Sequence, residues 1–267
     1  MKKLTAHNRF IVAMLFALLA CSGIPRDLAA DEIAASDRRS GYSFMSRDTQ
    51  LMQDDDKANP GMLSVLEGET LWGTRVGAEN KSCADCHGNA RVSMKGVAAR
   101  YPALDAKAGR PIDLEQRIRT CRTEHQKATP LAWESKDLLA LSTFVARQSR
   151  GMPIARSSAE LETFIESGRK LYTDRRGQLN LSCSQCHDDN WGKRLAGNAV
   201  PQAHPTGYPL YRLEWQDMGS LQRRLRNCLS GMRAEVYSYG APELVDLEIF
   251  LMWRAGGMPI ETPAVRP

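Results

Sequence analysis

Two copies of one five-residue string carry the chemistry of this chain: Cys83-Ala-Asp-Cys86-His87 and Cys183-Ser-Gln-Cys186-His187. C-x-x-C-H is the attachment sequence of c-type haem. The two thiols add to the porphyrin vinyl groups as thioethers, and the adjacent histidine reaches the iron. The repeated string therefore predicts two covalently bound haem c groups. Cys83 and Cys86 anchor one, Cys183 and Cys186 the other, with His87 and His187 as proximal ligands. Cys83, Cys86, His87 and Cys121 also count as a Cys3His zinc set, but adjacent Cys86 and His87 are awkward on one tetrahedral metal.

The far side of each iron takes a second ligand. The chain has five histidines and seven cysteines, so each is accountable. His7 falls in an export signal, and His125 and His204 do not occupy matching places. Met152 and Met258 match, but each follows the last helix of its half, beside a proline. Cys121 and Cys228 also match, and both precede that helix. Three readings stand: thiolate ligation by Cys121 and Cys228, a Cys121–Cys228 disulfide suited to an oxidising compartment, and ligation by Met152 or Met258. A thiolate lowers the haem potential. It also sets a nucleophile beside an electron acceptor, which suits sulfur chemistry.

Arg117 and Arg224 precede Cys121 and Cys228 by four residues, which puts each pair on one helical face. A guanidinium there holds a thiolate ionised and binds a sulfur oxyanion through paired hydrogen bonds. Arg224 is the candidate substrate-binding residue. Arg212, Arg223, Arg226 and Arg233 stand nearby, against Glu214 and Asp217, and read mostly as solvated faces and haem propionate partners.

The elements that position these groups repeat. Gly68-x-x-Leu71-Trp72 matches Gly168-x-x-Leu171-Tyr172 at the same offset as the haem strings. Leu114 to Cys121 matches Leu221 to Cys228, and Ser135 to Arg150 matches Pro242 to Ala255; both halves close on Gly-Met-Pro-Ile. A helix capped by Ser158 is expected before the second string, and final helices start near Ser135 and at Pro242. Gly68 and Gly168 are placed for close crossing of the first and last helices of each half. The stretch around Trp191 to Tyr211 is rich in Gly and Pro and reads as an irregular loop. No convincing strand alternation appears. The expected fold is all-α: two tandem class-I-like cytochrome c modules with substantial irregular loop, at 31–155 and 156–267, each wrapped round one haem.

A net charge of +5 with mixed signs across 267 residues is too mild for nucleic-acid binding. Lys2, Lys3 and Arg9 followed by the apolar run Phe10 to Ala20 read as a signal peptide, 1–30, cleaved before Asp31. Leu18-Leu19-Ala20-Cys21 is a second reading, a lipoprotein box. Export to the periplasm agrees with covalent haem attachment.

The paired haem strings, the two late cysteines and the Arg-x-x-x-Cys segments resemble those of the SoxA family, the dihaem subunits of the SoxAX cytochromes of sulfur-oxidising bacteria. The resemblance covers nearly all of the mature chain. It implies His/Cys ligation of both irons, by His87 with Cys121 and by His187 with Cys228. It places the active site at the second haem, with Cys228 as the catalytic cysteine, able to hold a persulfide, and Arg224 as the substrate-binding arginine. The implied reaction joins thiosulfate to a carrier cysteine and removes two electrons. The implied partners are a monohaem SoxX-like cytochrome, a SoxYZ-like carrier and a small cytochrome c acceptor. The rival readings are a thiosulfate dehydrogenase that releases tetrathionate and a plain dihaem electron-transfer cytochrome.

Overall fold

The computed structural model describes residues 33–156 and 158–267. The export signal, its cleavage point and Cys21 lie outside the described residues. The helices are α1 (Arg47–Asp54), α2 (Gly61–Gly73), α3 (Cys83–His87), α4 (Ala90–Ser93), α5 (Leu114–Glu124), α6 (Lys136–Arg147), α7 (Glu162–Thr173), α8 (Cys183–His187), α9 (Leu221–Gly231) and α10 (Pro242–Arg254). The strands are β1 (Ala103–Asp105), β2 (Arg110–Ile112), β3 (Arg194–Leu195), β4 (Asn198–Ala199), β5 (Leu210–Arg212), β6 (Asp217–Gly219) and β7 (Ala264–Arg266). Among the described residues no helix is long and apolar enough to cross a membrane.

Each half is built on a first-and-last-helix pair, α2 with α6 and α7 with α10. Glycine at the crossing allows it. A Cβ on Gly68 would run into the Ala140 carbonyl, and one on Gly168 into the Asp246 carbonyl. Leu138 and Leu244 are fully buried on the final helices. Each such leucine contributes about 1.5–3 kcal/mol by leaving water. Ser135 caps α6 by accepting from the Leu138 amide at 3.4 Å, and Pro242 opens α10 at its first turn. Ser158 differs from expectation. It precedes a 3-10 turn, Ala159–Leu161, and makes no capping bond; α7 begins only at Glu162.

The structure is helical, with short ladders the sequence did not signal. β1 and β2 form an antiparallel hairpin, as do β3 and β4, while β5 pairs with β6 antiparallel and with β7 parallel. Strands of two or three residues are too short to show alternation. The stretch expected as an irregular loop carries β3 and β4, and Gln202, His204 and Thr206 within it are buried.

The repeated Gly-Met-Pro-Ile endings meet each other. The Gly151 amide donates to the Ile260 carbonyl at 2.8 Å, and the Ile260 amide to the Met152 carbonyl at 2.9 Å. Ile154 and Gly257 close the same ladder. Ile154 and Ile260 then pack with Ala99 and Ala255 between the halves. Residues 32–267 form one compact unit by this join.

Candidate haem and sulfur sites

Each C-x-x-C-H string folds as a short helix for a local reason. Serine precedes the first cysteine, and an acid or amide sits three residues on, so each string starts in a capping box. In α3 the Asp85 amide donates to Ser82 Oγ at 3.1 Å and the Ser82 amide returns to Asp85 Oδ2 at 2.8 Å. In α8 Ser182 and Gln185 repeat this at 3.3 and 2.9 Å. The helical turn brings cysteines three apart to one face. An aromatic side chain from the preceding helix latches the residue after the histidine. Trp72 Nε1 donates to the Gly88 carbonyl at 3.0 Å, and the Tyr172 hydroxyl to Asp188 Oδ1 at 2.8 Å.

In the first half Cys83, Cys86, His87 and Cys121 line one cavity of about 660 Å³. Cofactor-sized pockets run about 300–1,000 Å³. Trp72, Leu114 and Ile118 supply apolar wall, and Arg117 opens onto the same space. In the second half His187, Arg224 and Cys228 share a narrower cavity of about 160 Å³. His187 Nδ1 lies 2.6 Å from the Pro201 carbonyl. Donation to that carbonyl fixes the tautomer and leaves Nε2 as the ligating nitrogen. In the first half paired thiols and an imidazole face a further thiol across one cavity, a donor set and a space that fit a covalent haem. In the second half the same donor types recur, and Cys228 is near enough to add to burial in raising both Cys183 and Cys186, but neither of those thiols lines the cavity of His187 and Cys228.

The described cysteines are all free, so the Cys121–Cys228 disulfide is not formed. Met152 and Met258 line neither cavity; Met258 packs in the apolar join between the halves. Among the described residues no three His, Cys, Asp or Glu side chains are grouped to hold a metal ion such as zinc.

The two late thiols sit in different electrostatic settings. Burial pushes Cys121 up, against a weaker pull from Arg117. Burial also pushes Cys228 up, but the neighbouring His187 and the charges of Arg224 and Arg212 outweigh it and bring the thiol down to about 7. Burial raises Cys83 to about 11 and Cys183 to about 12.

His125, set aside in the sequence for lacking a counterpart in the repeat, lines the first cavity; it stands four residues after Cys121, a helical spacing that was available as a signal. Other groups around the sites escaped the sequence. Gly41, Phe44 and Met45 near the start, and Arg266 and Pro267 at the end, line the second cavity. No local pattern marks these, because residues 41–45 and 266–267 reach the site only in the folded chain. Arg254 grips Asp188 beside the second string, and nothing in the linear order pairs them.

Comparison with known proteins places this architecture. The family model described as SoxA/TsdA, cytochrome c domain, matches residues 67–154 and again 167–260. The L-cysteine S-thiosulfotransferase subunit SoxA of Pseudaminobacter salicylatoxidans is 41% identical over 229 residues, covering 85% of this chain and 80% of that protein. The subunit of the same description from Rhodovulum sulfidophilum is 35% identical over the same shares. The crystal structure of SoxXA from P. pantotrophus aligns with a TM-score of 0.83 at 30% identity, covering 86% of this chain and 87% of that one. With both halves matched and such relatives spanning most of its length, the chain belongs to the SoxA family of cytochrome c proteins.

Proposed function

We propose that the chain catalyses the oxidative conjugation of thiosulfate to a cysteine of a sulfur-carrier protein, as an L-cysteine S-thiosulfotransferase subunit. The observation that carries this is the meeting of Cys228, His187 and Arg224 in one cavity of a SoxA-family chain. A carrier thiolate and thiosulfate give a cysteine S-thiosulfonate and two electrons. Bound haem supplies the one-electron acceptors for that oxidation.

The protein's own residues do the rest. Cys83 and Cys86, in the module at 31–155, and Cys183 and Cys186, in the module at 156–267, would anchor two haem c groups. His87 with Cys121 and His187 with Cys228 would be the residues that ligate the irons. Arg224 presents its guanidinium to the sulfonate oxygens and orients the terminal sulfur toward Cys228, which handles it as thiolate or persulfide. The Pro201 carbonyl holds the His187 ring in place. A monohaem SoxX-like subunit takes the electrons on toward a small cytochrome c. A SoxYZ-like carrier brings the acceptor cysteine. The setting is the periplasm, reached by the signal at 1–30, with a lipid anchor at Cys21 as the minor route.

The test is Cys228→Met in the haem-loaded chain with its partner and carrier. It should keep two haems by mass and lose nearly all conjugation. Full turnover in that variant would remove Cys228 from the chemistry. Tetrathionate formed without a carrier thiol would assign the thiosulfate dehydrogenase reaction instead.

A further inference from the structure

The two halves set the same arginine in opposite surroundings. The β1–β2 and β5–β6 hairpins are equivalent, and the last pair before each turn is Asp105 with Arg110 in one and Arg212 with Asp217 in the other. The charges are exchanged. In the first half Asp105 takes the Arg117 guanidinium at 2.5 Å, and Arg117 Nε donates to the Tyr101 hydroxyl at 3.2 Å. Arg117 is thereby neutralised inside the fold. In the second half the residue at the strand end is Arg212. The side chain of Arg224, the equivalent of Arg117, makes no hydrogen bond or ion pair among the described residues.

Arg212 and Arg224 both line the cavity that holds Cys228 and His187. Arg212 comes from β5 and Arg224 from α9, so they approach from different walls. Arg212 Nε donates to Glu214 Oε2 at 2.8 Å. The Arg212 side chain is 12% exposed and that of Glu214 62%. Such a solvent-side acid orients a guanidinium while offsetting little of its charge. Its terminal nitrogens make no further hydrogen bond among the described residues. The third arginine of the cavity, Arg266, is engaged by Gln53 and Glu261.

We propose that Arg212 is a second substrate-contacting residue, which with Arg224 holds the sulfonate end of thiosulfate beside Cys228. A dianion entering a half-buried cavity needs charge from more than one guanidinium, or it stays uncompensated away from water. The first cavity has Asp105 where Arg212 stands, and Asp105 holds Arg117, so the hairpin and helix there present no matching pair, although Arg100 and Arg122 also line that space. This inference rests on the thiosulfate reading above and adds the residue that selects the dianion.

The experiment uses the haem-loaded chain with its partner subunit and three variants: Arg212→Gln, Arg212→Asp and Arg212→Lys. Calorimetric binding of thiosulfate without carrier, and KM with carrier, are read beside the haem spectrum. Loss of one charged hydrogen-bonding partner should weaken binding about 10- to 100-fold in Arg212→Gln. Arg212→Asp should weaken it further, and Arg212→Lys should restore most of it, with the haem spectrum unchanged throughout. Unaltered binding in Arg212→Gln overturns the inference while leaving the thiosulfate reading intact. Unaltered binding in Arg224→Ala as well sinks that reading itself. A change of haem spectrum in Arg212→Gln that Arg212→Lys does not reverse assigns Arg212 a structural role and overturns the inference.

Discussion

Arg254 closes on Asp188 with two hydrogen bonds, at 2.6 and 3.4 Å, one residue past His187. Both side chains are buried, at 6% and 10% exposure. Tyr172 donates to the same carboxylate, and the Arg254 guanidinium lies 4.8 Å from the Tyr172 ring. The group ties α7, α8 and α10 together behind the second histidine. The first half has Gly88 and Gln148 at the equivalent places and relies on Trp72 alone.

Removing one partner of a buried pair leaves the other uncompensated. Arg254→Ala should cost about 3–5 kcal/mol in denaturant unfolding of the haem-loaded chain. Gln148→Ala in the first half should cost far less. Equal losses in the two variants would contradict the asymmetry.

Gly68→Ala and Gly168→Ala test the helix crossings. Each new Cβ meets a backbone carbonyl that has no room to withdraw. Each variant should lose about 1–3 kcal/mol by overpacking. Gly73→Ala, at the end of α2 with nothing near the added carbon, should be neutral or gain up to about 1 kcal/mol from helix propensity.

The join between the halves buries two acids, Asp113 and Glu248, beside the half-buried Glu115. Asp113 is 2% exposed and Glu248 8%. Gln222 Nε2 donates to Asp113 Oδ2 at 2.7 Å across the join. Burial raises Asp113, Glu115 and Glu248; Asp113 raises Glu115 further, and Asp113 and Glu115 both raise Glu248. Folded values above the unfolded ones, near 4, mean the folded chain binds more protons. Their contribution is fully present below about pH 4 and is lost as pH rises through the folded values. His204, lowered to about 4 chiefly by burial, acts oppositely but only below its unfolded value near 6.5. Stability should therefore fall between pH 6.5 and 8.5, and Glu248→Gln should flatten the fall. A midpoint of urea unfolding that rises over that range would refute this.

Arg224→Ala should lower kcat/KM for thiosulfate about 10- to 100-fold, the loss expected for a hydrogen-bonded charge. Haem content should stay at the unaltered level, since no described residue depends on Arg224 for a hydrogen bond. Steady-state kinetics with pyridine haemochrome assay checks both.

The paired candidate haem strings were legible because they are local. C-x-x-C-H needs only one turn of helix, and the serines, Asp85 and Gln185 that build that turn lie within the same few residues. The repeat was legible too, since equal offsets survive in the linear order, as did the glycines of the helix crossings. The short strands were not, because two or three paired residues leave no period to read.

Which residues face each other was decided by the tertiary structure. Cys121 and Cys228 carry equivalent sequence positions, yet one thiol faces an arginine held by a buried acid and the other faces Arg224, whose side chain makes no hydrogen bond among the described residues, with Arg212 beside it held only by the exposed Glu214. That difference turns on Asp105 and Arg212, whose roles appear only once the hairpins fold back on α5 and α9. Arg254 with Asp188, Gln222 with Asp113, and residues 41–45 and 266–267 at the second cavity are likewise long-range contacts. The sequence by itself specifies which groups exist and which lie within a helical turn. Burial, charge compensation and access depend on segments scores of residues apart, and only packing brings those together.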